Sequence, residues 1–324
     1  MKATAKANTN IALIKYWGKR DENLFLPMNS SLSITLDRFY TVTTVEFQEK
    51  LEKDQFFLNG KPASDKEANN VYSFLDKIRN RFSVNLHAIV SSENKVPTAA
   101  GLASSASGFA ALVAAATKAL KLDIEERELS ILARQGSGSA CRSVYGGFVE
   151  WQKGKREDGK DSFAIQLLPE NQWQLSILSV MVNSKEKKVS SREAMKRTVE
   201  KSPFYLGWLQ GVERDLDLAK KAIEVRDFQA LGEVMEANAL KMHGTMLGAE
   251  PPILYWESGT LEVIKQVQEL RLSGINAYFT IDAGPNVKVL CLPEDEKEVH
   301  RSLLMLPSVQ EVLVCHPGPG VTYY

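Results

Sequence analysis

The chain has 324 residues, 44% hydrophobic and 25% charged, with 40 basic and 40 acidic side chains and a formal net charge of zero. That length suits two packed domains rather than one simple core, and the missing basic surplus argues against a nucleic-acid partner. Three cysteines without a CxxC pair and four scattered histidines give neither a disulfide framework nor a His/Cys zinc site; with no signal-peptide core at Met1–Lys6 and no membrane-spanning run, the expectation is a soluble cytoplasmic protein.

In chain order, Tyr40–Phe47 is rich in Thr and Val and reads as a strand. Gln55–Leu58 leads into Asn59-Gly60, a hairpin turn signal. Ser64 to Glu67 has capping-box spacing and opens a helix with Val71, Phe74, Leu75, Ile78 and Phe82 on its apolar face. Val84, Leu86, Ala88 and Val90 alternate like a half-buried strand. Small residues from Pro97 to Gly108 run into an Ala-rich helix over Phe109–Leu120, and a further helix runs from Asp123-Ile124-Glu125-Glu126 to Gly136-Ser137-Gly138. Strands follow at Gly147–Trp151 and Leu175–Val182. Helices are expected at Ser190–Glu200, Pro203–Val225, Phe228–His243 and Thr260–Leu272, with strands at Ala277–Asp282, Val287–Leu292 and Val309–Cys315. The domain boundary falls near Val182, giving domains 1–182 and 183–324.

The segment Gly101–Gly108 has the makings of an anion site. Backbone N–H groups at a helix start lack internal partners and lie at the positive end of the dipole, and small side chains let an anion come close. Ser104, Ser105 and Ser107 add hydroxyls for phosphate or Mg²⁺. The segment is neither a GxxxxGK[ST] loop nor a GxGxxG turn, and a helix start whose small residues merely avoid clashes has the same composition.

Pro97–Gly108 resembles the phosphate loop of the GHMP superfamily of small-molecule kinases. Its alanines, Ala99, Ala100 and Ala103, resemble one branch, the mevalonate diphosphate decarboxylases. Three more segments match that branch in order: Asn8–Lys19; Gly136–Ser143 with Tyr145–Phe148; and Asp282-Ala283-Gly284-Pro285-Asn286. Val189-Ser190-Ser191, Met195 and Met242-His243 also have counterparts. Four long motifs in order make the resemblance specific.

The resemblance implies an α+β fold of two domains, the N-terminal one ribosomal-protein-like and the C-terminal one ferredoxin-like, with the site between them. It implies ATP-dependent decarboxylation of mevalonate 5-diphosphate to isopentenyl diphosphate in the mevalonate route of isoprenoid biosynthesis, with ATP and Mg²⁺, in a homodimer without nucleic acid or membrane. ATP would lie over Gly101, Leu102, Ala103, Ser104, Ser105 and Ser107, with Ser105 reaching the metal. Tyr16, Trp17, Gly18 and Lys19, with Ser190 and Met195, would line the substrate pocket. Ser137, Gly138, Ser139, Ala140 and Cys141 would offer donors to the diphosphate.

Three residues would carry the chemistry. Arg142 would grip the substrate carboxylate with a planar fork that lysine lacks, Asp282 would receive or orient the tertiary hydroxyl proton, and Lys15 would lie beside that hydroxyl and the Asp282 carboxylate. Read without the resemblance, Asp282 is a turn-capping aspartate, Lys15 and Lys19 are solvated loop lysines, and Arg142 is half of a structural salt bridge. Cys141 has no base histidine beside it and reads as a packing residue. His243, Trp151, Trp173, Trp208, Trp256 and Asp37-Arg38 read as packing or surface residues. The branch carries a basic ligand contact just before Val71, where this chain has Asn69 and Asn70; Lys66 is the candidate replacement. A kinase that stops after phosphorylating the same hydroxyl and an RNA-binding module are the alternatives, and preference between a diphosphate and a monophosphate substrate stays open.

Overall fold

The computed structural model describes residues 1–96, 104–183 and 189–324. In the first half the chain runs through strands β1 (Lys2–Ile14), β2 (Lys19–Asp21), β3 (Leu26–Pro27), β4 (Ser31–Gln48), β5 (Gln55–Leu58) and β6 (Lys61–Pro62), then helix α1 (Asp65–Phe82) and β7 (His87–Asn94). Helices α2 (Ser104–Ala119) and α3 (Glu126–Arg134) follow, then a 3-10 segment (Gly138–Val144) and strands β8 (Phe148–Trp151) and β9 (Ala164–Leu168). The second half comprises β10 (Ser176–Met181), α4 (Ser191–Lys201), α5 (Tyr205–Val225), α6 (Phe228–Leu247), α7 (Ser258–Leu272), β11 (Ala277–Ile281), β12 (Val287–Cys291), α8 (Glu296–Leu304), β13 (Glu311–Cys315) and β14 (Thr322–Tyr323).

Local sequence explains most boundaries. The Ser64 hydroxyl and Glu67 form the expected capping box on α1, and β5 and β6 pair antiparallel across the Asn59-Gly60 turn. The strand expected at Val84–Val90 begins instead at His87. Ser83 takes a left-handed conformation (φ 53°) as the α1 C-cap, and the Val84 N–H donates back to the Arg79 carbonyl, so the first alternating residues close the helix. Helix α2 starts at Ser104 rather than Phe109, because the Ser and Ala residues there fit a first turn. The strand expected at Tyr40–Phe47 is the second part of β4, 18 residues long. Helix α8 escaped the sequence reading because Val299 and Leu303 are the only buried residues it offers.

Among the described residues the first sheet has eight strands in the order β14-β1-β4-β7-β5-β6, with β8 pairing the start of β4 and β9 pairing β8. Helix α2 packs on β1 and β4, where Ala7 meets Ala110 and Ala111; small side chains on both sides let helix and sheet approach closely. The second sheet, β11-β12-β10-β13, is antiparallel throughout. One face buries Leu178, Val180, Phe279, Val287 and Val289 beneath α7 and α8. The other face turns toward α6, which packs on β11 and also on β1. Both faces of β10 are therefore covered, which is why Ser176–Met181 reads as a near-continuous apolar run.

The result is a two-domain α+β fold with α5 and α6 wedged between the sheets. Residues past β13 return to the first sheet: Pro317 bridges to Leu36 and β14 pairs with β1. Among the described residues no helix is long and apolar enough to cross a membrane.

Candidate functional site

Lys15 follows the last residue of β1 and is held by both halves of the fold. Its backbone N–H donates to Asn238 Oδ1 of α6 (2.9 Å) and its carbonyl accepts from Asn29 Nδ2 (2.8 Å). Asn238 is itself anchored by Asp215 of α5 (2.8 Å). The Lys15 ammonium, 2% exposed, donates to the Ala12 carbonyl (2.9 Å) and to Asp282 Oδ1 (2.7 Å). Burial pushes its pKa below the ordinary lysine value, Asp282 opposes that shift, and the nearby Arg142 charge adds to it.

Asp282 is placed by strand alternation. Ala277, Phe279 and Ile281 point into the core under α7 and α8, so the next residue faces the opposite way, toward β1 and α6. Its carboxylate also lies 3.9 Å from the ammonium of buried Lys288. Behind it, buried His243 of α6 meets the Ile281 carbonyl at 3.4 Å and packs on Trp256. Burial lowers the His243 pKa to about 4, so the ring is neutral at pH 7.

Arg142 stands in the 3-10 segment, 2% exposed. Its Nη1 donates to Ser31 Oγ (2.6 Å), while Nε and Nη2 both reach Asn10 Oδ1 (3.3 and 3.2 Å). Asn10 in turn donates to the Ser139 carbonyl and Ser143 Oγ (3.1 and 2.8 Å). These partners are neutral, and desolvation lowers the Arg142 pKa. Lys15, Lys288 and Arg142 thus set three buried cations around one carboxylate among the described residues, a surplus that suits an anionic ligand.

The residues proposed from sequence divide into three groups. Lys15, Tyr16, Trp17, Lys19, Ser105, Ser137, Gly138, Ser139, Arg142, Met195 and Asp282 line one cavity of about 380 Å³. Gly18, Ala140, Cys141, Ser190, Ser104 and Ser107 do not. Gly18 (φ +103°) lies where a Cβ would stand 1.9 Å from the Tyr205 hydroxyl, which donates to the Trp17 carbonyl, so no larger residue fits there. Ala140 is buried. The buried Cys141 thiol donates to the Gly138 carbonyl (3.0 Å), and its pKa is pushed up to about 12, which keeps it a thiol. Ser190 caps α4 by accepting from the Glu193 N–H; its successors Ser191 and Arg192 face the cavity instead. Ser107 is buried against Thr41 Oγ1 (2.8 Å). Gly101, Leu102 and Ala103 lie outside the described residues.

Ser105, in the first turn of α2, sits 3.3 Å from Ser137 Oγ and borders three cavities at once. The second, about 230 Å³, holds Phe25, Asn70, Lys77 and Arg192. The third, about 220 Å³, begins at Ser104 and is walled by Phe56, Leu58, Val71, Val90 and Leu112. The chain of cavities runs from a cationic pit through a helix N-terminus to an apolar slot. Lys66 is in none of them, whereas Lys77 is in the second and donates to the Gln135 carbonyl (3.1 Å).

Sequence reasoning passed over Asn10, Phe25, Lys77, Arg192 and Lys288. The last two carried a signal: Arg192 abuts a matched motif, and Lys288 interrupts the apolar run Val287–Cys291.

A family model described as the diphosphomevalonate decarboxylase-like N-terminal domain matches residues 7–164, and one for the mevalonate 5-diphosphate decarboxylase C-terminal domain matches 177–315. A diphosphomevalonate decarboxylase of Ganoderma lucidum is 39% identical over 92% of this chain and 80% of its own length; that of Homo sapiens is 39% identical over 91% and 78%. A solved structure of MDDEF in complex with MVAPP, AMPPCP and magnesium superposes with TM-score 0.94 at 49% identity, covering 100% of this chain and 99% of that one. The mevalonate diphosphate decarboxylase from Staphylococcus aureus gives 0.95 at 45%, covering 100% and 98%.

Proposed function

This chain belongs to the diphosphomevalonate decarboxylase family, and from that premise we propose that it uses ATP to convert mevalonate 5-diphosphate to isopentenyl diphosphate, ADP, phosphate and carbon dioxide. The observation that carries the reading is the Asp282 carboxylate held on Lys15 at 2.7 Å, in the same cavity that Ser105 lines from the first turn of α2.

The nucleoside of ATP fits the apolar slot beside Ser104, and its phosphates fit the N–H groups and hydroxyls at Ser105 and Ser137. Ser105 would hold Mg²⁺ together with phosphate oxygens; the ion supplies neutralisation of the phosphate charge. Lys19, Arg192 and Ser139 offer the substrate diphosphate its donors. Asp282 orients the tertiary hydroxyl and takes its proton as the oxygen attacks the γ-phosphoryl group. Lys15 keeps that carboxylate in place. The attack forms a new O–P bond and releases ADP; the original tertiary C–O bond then breaks with phosphate as leaving group, and positive charge develops on the carbon. The substrate carboxylate, set against Arg142, leaves as carbon dioxide as its C–C bonding pair closes the double bond.

The finer fold description follows the same reading. The second sheet, β11-β12-β10-β13, with α8 between β12 and β13, supports a ferredoxin-like arrangement, and β1, β4, β7, β8 and α1–α3 stand for the ribosomal-protein-like half of a GHMP fold, with the domains meeting near residue 182. A cytoplasmic homodimer completes it. Helices α5 and α6 present an outward groove floored by Gly207, Gly211 and Gly244 and edged by exposed Phe204, Leu218, Leu240 and Leu247, a face suited to a second copy.

The test is an assay for ADP and carbon dioxide with mevalonate 5-diphosphate and its monophosphate side by side. ADP without carbon dioxide would make the protein a kinase, and neither product would remove the reading.

A further inference from the structure

A lysine in the middle of a core strand is costly, since an aliphatic side chain would fill the same space without surrendering hydration. Lys288 is that residue. It sits in β12 with Val287, Val289 and Cys291 on the opposite face, and its side chain is 1% exposed. Its cross-strand neighbours are Thr280 on β11 and Ser179 on β10, so a polar row crosses the sheet on the side facing β1 and α6. Thr280 Oγ1 reaches the Ala12 carbonyl (3.4 Å), the same carbonyl that Lys15 Nζ uses.

The ammonium of Lys288 donates to the Asn286 carbonyl (3.4 Å) and stands 3.9 Å from Asp282 Oδ2. The second distance is a charge contact rather than a hydrogen bond. Asn286, 3% exposed, accepts from the Val182 and Asn183 N–H groups (2.9 and 3.1 Å). Asn286 therefore ties the turn after Asp282 to the chain just past β10, and Lys288 braces that turn at the Asn286 carbonyl while placing a positive charge near Oδ2, the oxygen opposite the one bonded to Lys15.

We infer that Lys288 is a positioning residue of the reaction: it fixes the rotation of the Asp282 carboxylate, so that Oδ1 stays on Lys15 while the group faces the substrate hydroxyl. This rests on the decarboxylase reading of the site. Lys288 does not line any of the three cavities and would act through Asp282, so its loss should appear in kcat and leave binding alone. A misplacement on the order of 1 Å at a reacting group is enough for roughly a hundredfold in rate.

The experiment compares wild type, Lys288→Met and Lys288→Arg in steady-state kinetics for both substrates, in thermal unfolding and in crystal structures. Lys288→Met is expected to fold, to keep both KM values within about twofold and to lose roughly ten- to a hundredfold in kcat. Its Asp282 carboxylate should turn off Lys15. Lys288→Arg restores a cation and should recover most of the rate. Should the Met variant fail to fold, Lys288→Gln, equally uncharged, carries the same comparison. Unchanged kcat in the uncharged variant, with the 2.7 Å Lys15–Asp282 contact intact, overturns the inference while wild-type turnover preserves the functional reading. A wild type that releases no carbon dioxide removes that reading instead, and the Asp282 geometry of the variants still decides whether Lys288 sets the carboxylate.

Discussion

Lys15 Nζ and Asp282 Oδ1 lie 2.7 Å apart although 267 positions separate them in the chain. The contact joins the end of the first sheet to the end of a strand in the second, so the carboxylate proposed as the reacting group meets its ammonium partner only when the two halves of the fold are docked. Asp282→Asn keeps the shape and one acceptor oxygen but removes the charge and most of the basicity. The variant should bind ATP and substrate and lose roughly 10²–10⁴-fold in kcat. Single-turnover measurement of ADP and carbon dioxide checks it. Loss of both places Asp282 at phosphoryl transfer, whereas ADP without carbon dioxide moves it to the later step.

Arg142→Lys tests the guanidinium. The three nitrogens that meet Ser31 and Asn10 fix the plane of the fork, which a lysine cannot present. Losing one charge-assisted contact costs about 1.5–3 kcal/mol, or roughly ten- to a hundredfold in kcat/KM. Kinetics equal to wild type would mean that the fork does not hold the substrate carboxylate.

The sequence made the elements legible where one periodicity ruled, as in α1 with its capping box or in β11. It was less informative where tertiary structure decides. Nothing local announces that Asn10 supports Arg142, 132 positions away, because an asparagine in a strand signals nothing until its partner is beside it. The resemblance named Ser190 and not Arg192, whereas the helix start that Ser190 caps turns the next two side chains, Ser191 and Arg192, into the cavity. Strands β9 and β14 were missed because β9 is only partly buried and β14 is exposed, which leaves no clean alternation to read.

Ser105 and Ser107 should separate binding from folding. Ser105 borders the cavities, so Ser105→Ala should raise KM for ATP or lower kcat with little change in unfolding. Ser107 is fully buried and bonded to Thr41, so Ser107→Ala should cost about 1 kcal/mol of stability with near-normal kinetics. Parallel denaturation curves and steady-state rates decide; the reverse pattern would remove Ser105 from the nucleotide site.

His243 gives the protein a pH dependence of known sign. The ring is 3% exposed and its pKa is lowered to about 4, first by burial and then by the Lys15 charge. In the unfolded chain an ordinary histidine takes up a proton near pH 6.5. Between those values the unfolded state binds a proton that the folded state refuses, so stability is full above about pH 6.5 and falls as the pH drops toward 4. From pH 7 to pH 5 the loss attributable to this ring is about 2 kcal/mol. His243→Gln removes the titrating group, so whatever the substitution costs at pH 7, its stability should decline less steeply over that interval. Urea unfolding of both proteins at pH 7 and pH 5 measures the difference of differences. Equal slopes would show that His243 is protonated in the fold, with its cation then standing behind Asp282 beside Lys15.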